Sequence, residues 1–252
     1  MTAPVFVVDE GRLEGLLPGG TFLLDGTEGR HAGVVQRRGV GERVDVVDGA
    51  GVRLHATVGA VGEQGVTLHV LDVVHEPAPT PALVLVQALA KGDRDEQAIE
   101  AATEVGVDAV VPWQAERSIV VWRGDRAARS RARWLATVRA AAKQSRRARV
   151  PDVDVAVTTK ELAARTAATT AAGGVVIVLH EDAAGPLAQV VLPAAGEVLV
   201  VVGPEGGIGD DELARLVEAG ATTARLGPHV LRTSTAGPVA LALLCERLGR
   251  WA

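Results

Sequence analysis

The sequence has no tyrosine, one cysteine and one methionine, and aromatic residues make up only 2% of it. So few rings argue against a site built from many stacked aromatics, and leave Val, Leu, Ile and Ala to build the core. A single cysteine, Cys245, excludes an intrachain disulfide and every CxxC metal pattern, and no metal site is expected. It sits in the apolar run Val239-Ala240-Leu241-Ala242-Leu243-Leu244-Cys245 and reads as core. Runs such as Val198 to Val202 are far shorter than the roughly 18 residues of a membrane helix. Met1-Thr2-Ala3-Pro4 offers neither a basic stretch nor an apolar one, and Asp9-Glu10 follow at once, so no secretory signal is visible. A cytoplasmic protein with no membrane partner is expected.

What is present suits a packed fold: 252 residues, 48% hydrophobic and 23% charged, enough for one large domain or a small and a medium one. A net charge of −5 would argue against nucleic acid if it were evenly spread. It is not. Arg123 to Arg149 carries ten Lys or Arg and one acidic residue, Asp125, and phosphates respond to local charge. On a helix, Trp134, Leu135, Val138 and Ala142 share one side, while Arg129, Arg133, Arg139, Lys143 and Arg147 spread over the other. Acidic partners at i±4 are missing, so phosphate contact is expected ahead of a merely solvated face.

Along the chain, Val5–Val8, Thr21–Leu24, Arg43–Val47, Arg53–Val58 and Val66–Val74 read as short strands, with a hairpin signal at Asp48-Gly49-Ala50-Gly51 and a helical stretch at His31–Arg37. That is the pattern of a small β-barrel, residues 1–75. Three alternating prolines in Glu76-Pro77-Ala78-Pro79-Thr80-Pro81 favour stiff extended chain, so 76–82 reads as a linker. From 83 to 252 strands and helices alternate. Leu83–Leu89, Val107–Val111, Val175–Leu179 and Val198–Val202 are strands; Asp93–Val105, Arg126–Arg147, Asp211–Glu218 and Gly237–Leu248 are helices. Continuous apolar strands imply a parallel sheet covered on both faces, with its ligand site at the carboxyl ends.

Two segments stand out. Val202-Gly203-Pro204-Glu205-Gly206-Gly207-Ile208-Gly209-Asp210 joins a buried strand to a helix through glycines, which fits both a tight turn capped by Asp210 and a ligand loop. It is neither GxGxxG nor a Walker loop. Leu226-Gly227-Pro228-His229-Val230-Leu231-Arg232-Thr233-Ser234-Thr235 blocks helix and then offers N-caps for the last one. His229 there fits an ordinary loop histidine as well as an acid or base.

In this order, near the C-terminus, the two segments resemble the RsmE family of knotted SPOUT methyltransferases. His31-Ala32-Gly33-Val34-Val35-Gln36-Arg37, Lys91-Gly92-Asp93-Arg94, Thr103-Glu104-Val105-Gly106-Val107, Arg117-Ser118, Gln144 to Pro151 and Leu231-Arg232-Thr233 extend the resemblance over almost the whole chain. Each piece is short; their fixed order makes the set specific. Members of that family methylate N3 of a uridine in small-subunit (16S) ribosomal RNA. The resemblance implies an α/β fold class: an N-terminal PUA-like β-barrel plus a C-terminal SPOUT α/β domain with a deep trefoil knot, working as a homodimer. It implies S-adenosylmethionine in a cradle of Leu179, His180 and Glu181; Val202, Gly203, Glu205, Gly207 and Ile208; and Leu226, Gly227, Val230 and Leu231. It implies ribosomal RNA or the small ribosomal subunit as partner, met by Arg37, Arg38, Lys91, Arg94, Arg117, Lys143, Arg146 and Arg147. N3 of uridine must lose a proton, and a cation beside the uracil oxygens would stabilise the developing anion. Arg232 is the catalytic candidate because it stays charged and presents a planar donor fork; Glu205 is the second, as proton acceptor or as a clamp on the loop. The family often carries an acidic residue where Ser234 stands and Glu where Lys143 stands, so neither position is assigned a general base. The alternative is a non-enzymatic RNA-binding or ribosome-assembly factor, which would show no saturable S-adenosylmethionine site.

Overall fold

The computed structural model describes residues 3–251. They form two compact units, one running to Ala78 and including Ala142–Val150, the other comprising Pro79–Ala141 and Pro151 onward. The first break falls inside the proline stretch. Residues 142–150, counted from sequence with the second domain, group with the first unit for a packing reason. Ala148 and Val150 lie against Val5, Val7 and Val47, and Arg149 donates to the carbonyl of Glu76 at 2.9 Å.

The first unit contains β1 (Val5–Val7), β2 (Thr21–Leu24), α1 (Gly26–Arg30), β3 (Arg43–Val47), β4 (Val52–Gly62) and β5 (Gly65–His75). They make a five-stranded sheet in the order β1-β3-β4-β5-β2, parallel only at β1–β3. Side chains alternate as a pleat requires: Phe22 and Leu24 of β2, Val44 and Val46 of β3, and Leu54, Ala56 and Val58 of β4 turn into one core. Register shifts after His55 and after Val58 interrupt the β4–β5 ladder, and such bulges bend a strand. The helix expected from His31 starts earlier, at Gly26, and continues over His31–Val35 as a wider π-helical turn. Its start was hidden by glycine, a poor helix former. Packing demands one, since a Cβ at Gly29 would collide with the carbonyl of Leu24.

The second unit holds β6 (Ala82–Ala88), α2 (Arg94–Val105), β7 (Ala109–Gln114), α3 (Asp125–Gln144, its last turn counted with the first unit), β8 (Asp152–Val153), β9 (Val157–Thr158), α4 (Thr159–Ala171), β10 (Val175–Leu179), β11 (Glu197–Val202), α5 (Asp210–Glu218), β12 (Thr222–Ala224) and α6 (Thr233–Arg247). Its sheet runs β12-β10-β11-β6-β7-β8 with β9 also on β7, and every pairing is parallel. One face packs Val84, Val86, Val176, Val178, Leu199 and Val201 against Leu162 of α4 and Leu216 of α5. The other face meets α6, which also packs on α2. Gly237 lets α6 sit close, because a Cβ there would lie 2.8 Å from Leu85 Cδ1. Apolar runs buried on both faces thus produce a central parallel sheet. Helix α4, absent from the sequence reading, is rich in Ala and Thr and weakly periodic. Its signal was the capping box, Thr158 accepting from Glu161 N and Glu161 reaching back to Thr158 N.

Candidate active site

β11 leaves the sheet at Val202 and enters the glycine turn. Gly207 N donates to Pro204 O at 2.9 Å, with Gly207 at φ +74°, the left-handed region where a side chain is strained. An added Cβ on Gly203 would lie 2.6 Å from Ile208 Cγ1, so the strand end and the turn touch backbone to side chain. Helix α5 then starts, and its Glu212 carboxylate turns back to accept from Gly209 N at 3.4 Å.

This turn forms one wall of a cavity of about 500 Å³. The others are Leu179, His180 and Glu181 at the end of β10, the segment Val230–Thr233 with Ala236, and Arg94. All these groups lie at carboxyl ends of strands or helix starts, where an open parallel sheet gathers its ligands. Leu226 and Gly227 line a smaller adjoining recess that shares Leu179, His180 and Val230. The lining combines aliphatic surface from Leu179, Val202, Ile208 and Val230 with carboxylates from Glu181 and Glu205. His180 Nδ1 accepts from Asp182 N at 3.2 Å, which leaves the proton on Nε2 in the neutral ring.

Glu205 is not a free carboxylate. Arg94 Nη1 lies 2.6 Å from its Oε1, and Lys91 N donates to the same oxygen at 3.2 Å. Burial pushes its pKa up, but its own backbone N–H, Arg94 and the Lys91 amide outweigh this and hold it below the ordinary carboxylate range. Arg117 braces the same turn, donating to Gly206 O at 3.1 Å. Arg232, by contrast, lines the cavity as the N-cap residue of α6, is exposed, and its guanidinium bonds to none of the described residues. The next residue, Thr233, is buried; its hydroxyl donates to Gly203 O at 2.8 Å and accepts from Gln87 Nε2 at 2.8 Å.

An RNA methyltransferase domain family matches residues 76–245. The chain is 45% identical to the ribosomal RNA small subunit methyltransferase E of Mycobacterium bovis over 253 residues, covering 100% of this chain and 94% of that one. This chain belongs to the RsmE family. Its Bacillus subtilis relative is 31% identical over 89% of each chain. The crystal structure of the Neisseria gonorrhoeae methyltransferase bound to S-adenosyl methionine aligns with a TM-score of 0.84 and 28% identity over 98% of both chains.

Against the RsmE pattern, the two departures sit in different surroundings. Ser234 is half-buried in the first turn of α6. Lys143 belongs to the first unit, where its Nζ lies 2.7 Å from Glu28 Oε2 and 5.4 Å from the ring centre of Phe6. The expected RNA contacts divide as well. Arg94 and Arg117 hold the glycine turn, Arg38 pairs with Glu42 at 3.3 Å, and Lys91, Arg37 and Arg146 are exposed. Helix α3 does not lack acidic partners: Asp125 in its own first turn stands four residues before Arg129. Arg133 pairs with Glu96 and, at 3.4 Å, with Asp93, and Arg131 donates to Val153 O at 2.9 Å. Counting i±4 neighbours misses partners that the fold brings from other elements.

Three side chains near the cavity were assigned no role in the site from the sequence. Buried Glu212 accepts from Glu116 N at 2.9 Å and from the Thr159 hydroxyl, besides Gly209 N. Gln87 and Thr233 form the link just described. Thr233 lies in the segment around Arg232 already singled out, and Gln87 left a trace as the one polar residue in Ala82-Leu83-Val84-Leu85-Val86-Gln87-Ala88-Leu89-Ala90.

Proposed function

We propose that this protein transfers the methyl group of S-adenosylmethionine to N3 of a uridine in small-subunit ribosomal RNA, in the cytoplasm and as a homodimer. The observation that carries the reading is the convergence of the glycine turn, the Leu179–Glu181 loop and the Val230–Thr233 segment on one cavity, whose lining includes an arginine, Arg232, with no partner among the described residues. Family membership supports the reaction class. The cavity fits the cofactor chemically, since aliphatic walls suit an adenine and the carboxylates of Glu181 and Glu205 suit a ligand with cationic groups. Bound there, the cofactor supplies an already activated methyl group.

The residues then have separable tasks. Leu179, Val202, Ile208, Leu226, Val230 and Leu231 hold the apolar part of the ligand, and His180, Gly203, Gly207 and Gly227 leave backbone and ring edges within reach of its polar atoms. Arg232 faces uracil oxygens and stabilises the charge that develops as N3 gives its proton to solvent water and takes the methyl group in its place. Glu205, tied to Arg94 and held as a carboxylate, fixes the turn; a carboxyl so easily ionised is a poor proton acceptor near neutral pH. Arg37, Arg146 and Lys91 meet phosphates, and Arg147 extends that surface.

The finer architecture belongs to the same proposal. The first unit is a PUA-like barrel. The second is a SPOUT domain with a trefoil knot, a reading supported by the insertion of β11 between β6 and β10 and by the return of α6 onto β6 and β11. The dimer forms through α6, whose Val239 and Leu243, one turn apart, are exposed. Mapping N3-methyluridine in ribosomal RNA from cells with and without the gene, beside calorimetry with S-adenosylmethionine, tests the function. An unchanged modification map, or no saturable cofactor binding, overturns it, and a monomer in sedimentation at micromolar concentration overturns the dimer.

A further inference from the structure

Gln87, the next-to-last residue of β6, stands in register with Val202, the last residue of β11. It is completely buried, in a strand whose other residues are apolar. Burying an amide is unfavourable unless its polar atoms are bonded. Here only half of them are. Nε2 donates to Thr233 Oγ1 at 2.8 Å and to Ala88 O at 3.2 Å, whereas Oε1 is buried with no partner among the described residues.

The orientation follows from proton counting. Thr233 has one hydroxyl proton, and Gly203 O takes it, so Thr233 Oγ1 can only accept from Gln87. Turning the amide over would set its oxygen against the carbonyl of Ala88 and against a hydroxyl with no proton left. A relay therefore runs Gln87 → Thr233 → Gly203, across the ends of two neighbouring strands and the first residue of α6. It joins the start of the glycine turn to the residue that follows Arg232.

We propose that Gln87 is a positioning residue for methyl transfer, which through Thr233 sets Arg232 against the glycine turn. The inference rests on the proposed function, with the cavity as cofactor site and Arg232 as charge stabiliser. It accounts for an amide kept in an apolar strand at the expense of an orphaned oxygen. A leucine would fill the same space without that penalty, so a purely structural role does not explain a glutamine here.

The test compares wild type with Gln87→Leu, Thr233→Val, the double variant and Thr233→Ser. The readouts are thermal melting, S-adenosylmethionine affinity by calorimetry, and single-turnover methylation of small-subunit ribosomal RNA from cells lacking the enzyme. Gln87→Leu is expected to melt within a few degrees of wild type while the chemical step slows roughly 10- to 100-fold, the scale of a small misplacement of a catalytic group. Cofactor affinity should change much less than turnover. Thr233→Val should slow the step at least as much, the double variant should be no slower than Thr233→Val, and Thr233→Ser should recover at least tenfold of the loss. Normal turnover in folded Gln87→Leu, or losses that multiply in the double variant, overturns the inference. If wild type itself neither binds S-adenosylmethionine nor methylates the RNA, the functional reading fails, and the inference with it.

Discussion

Arg94 Nη1 stands 2.6 Å from Glu205 Oε1, and the same carboxylate oxygen accepts from the backbone of Lys91. The contact joins the loop after β6 to the glycine turn after β11, two segments more than 100 residues apart in sequence. It also decides how Glu205 responds to pH. Because its folded pKa is lowered, whatever the ionised pair contributes is fully present above the ordinary glutamate value of about 4.3 and is lost as pH falls through the depressed one.

Cofactor affinity should therefore show no inflection from Glu205 between about pH 5.5 and 8, well above the ordinary carboxylate range. Glu205→Gln should weaken S-adenosylmethionine binding more than it slows the chemical step. Calorimetric S-adenosylmethionine affinities, beside single-turnover rates at saturating cofactor and RNA, measured across that range, check this. An acidic limb present in wild type and missing in Glu205→Gln would instead make the carboxylate the proton acceptor.

Gly207→Val places a branched side chain at φ +74° in the wall of the cavity. Strain and crowding of about 1–3 kcal/mol should fall on the turn, raising the S-adenosylmethionine Kd roughly tenfold or more in a protein that still folds. Unchanged affinity by calorimetry would move the cofactor elsewhere.

How much of this was legible beforehand depends on the range of the signal. The glycine turn was visible because strand, glycines and helix start are contiguous, from Val198 to Asp211. The parallel sheet was visible because its central strands, buried on both faces, are apolar but for Gln87 and Glu197 at the start of β11. The Lys143–Glu28 pair was not, since its partners lie 115 residues apart, and neither was Gln87–Thr233, 146 residues apart. Local charge patterning placed Lys143 on a solvated, phosphate-facing surface, but the fold supplied a carboxylate from α1. Helix α4 was missed for the opposite reason: its capping box is local, but small residues leave little hydrophobic periodicity to read.

Glu212 ties three segments together at once, through Glu116 N, Thr159 and Gly209 N. Glu212→Ala would leave these three donors, one buried and two partly buried, without their acceptor and should destabilise by about 3 kcal/mol. For a domain of this size that lowers the thermal midpoint by roughly 6–12 °C. A calorimetric scan is the check, and a midpoint within about 2 °C of wild type would show that Glu212 does not anchor the turn.

Arg232 presents to the cavity a guanidinium with no partner among the described residues. If it acts on charge that exists only as N3 loses its proton, Arg232→Ala should slow single-turnover methylation roughly 100- to 1,000-fold, the cost of one preorganised donor. S-adenosylmethionine affinity should stay within about threefold, since an interaction made in the transition state appears in the chemical step. A large loss of affinity with a normal chemical step would reassign Arg232 to cofactor binding.

Among the described residues, only three non-glycine residues have positive φ, and two of them are Arg37 at 51° and Arg146 at 61°. Both side chains are exposed and bond to no described residue. Holding a long side chain in the left-handed region costs about 1–2 kcal/mol, which is better explained by a function than by stability. Lys143 is the contrasting case, a cation already neutralised by Glu28. Replacing Arg37 and Arg146 together by Asn, which tolerates that backbone, removes two charges without new strain. The log–log salt dependence of binding to small-subunit ribosomal RNA should then flatten by up to about 1.4–1.8, the value for two lost phosphate contacts. Lys143→Gln should barely alter the slope while lowering thermal stability, because it breaks an ion pair inside the first unit rather than a contact with RNA. Fluorescence anisotropy over a salt series, beside melting curves, separates the two. A slope unchanged in the double variant but reduced in Lys143→Gln would put the RNA on Lys143 instead.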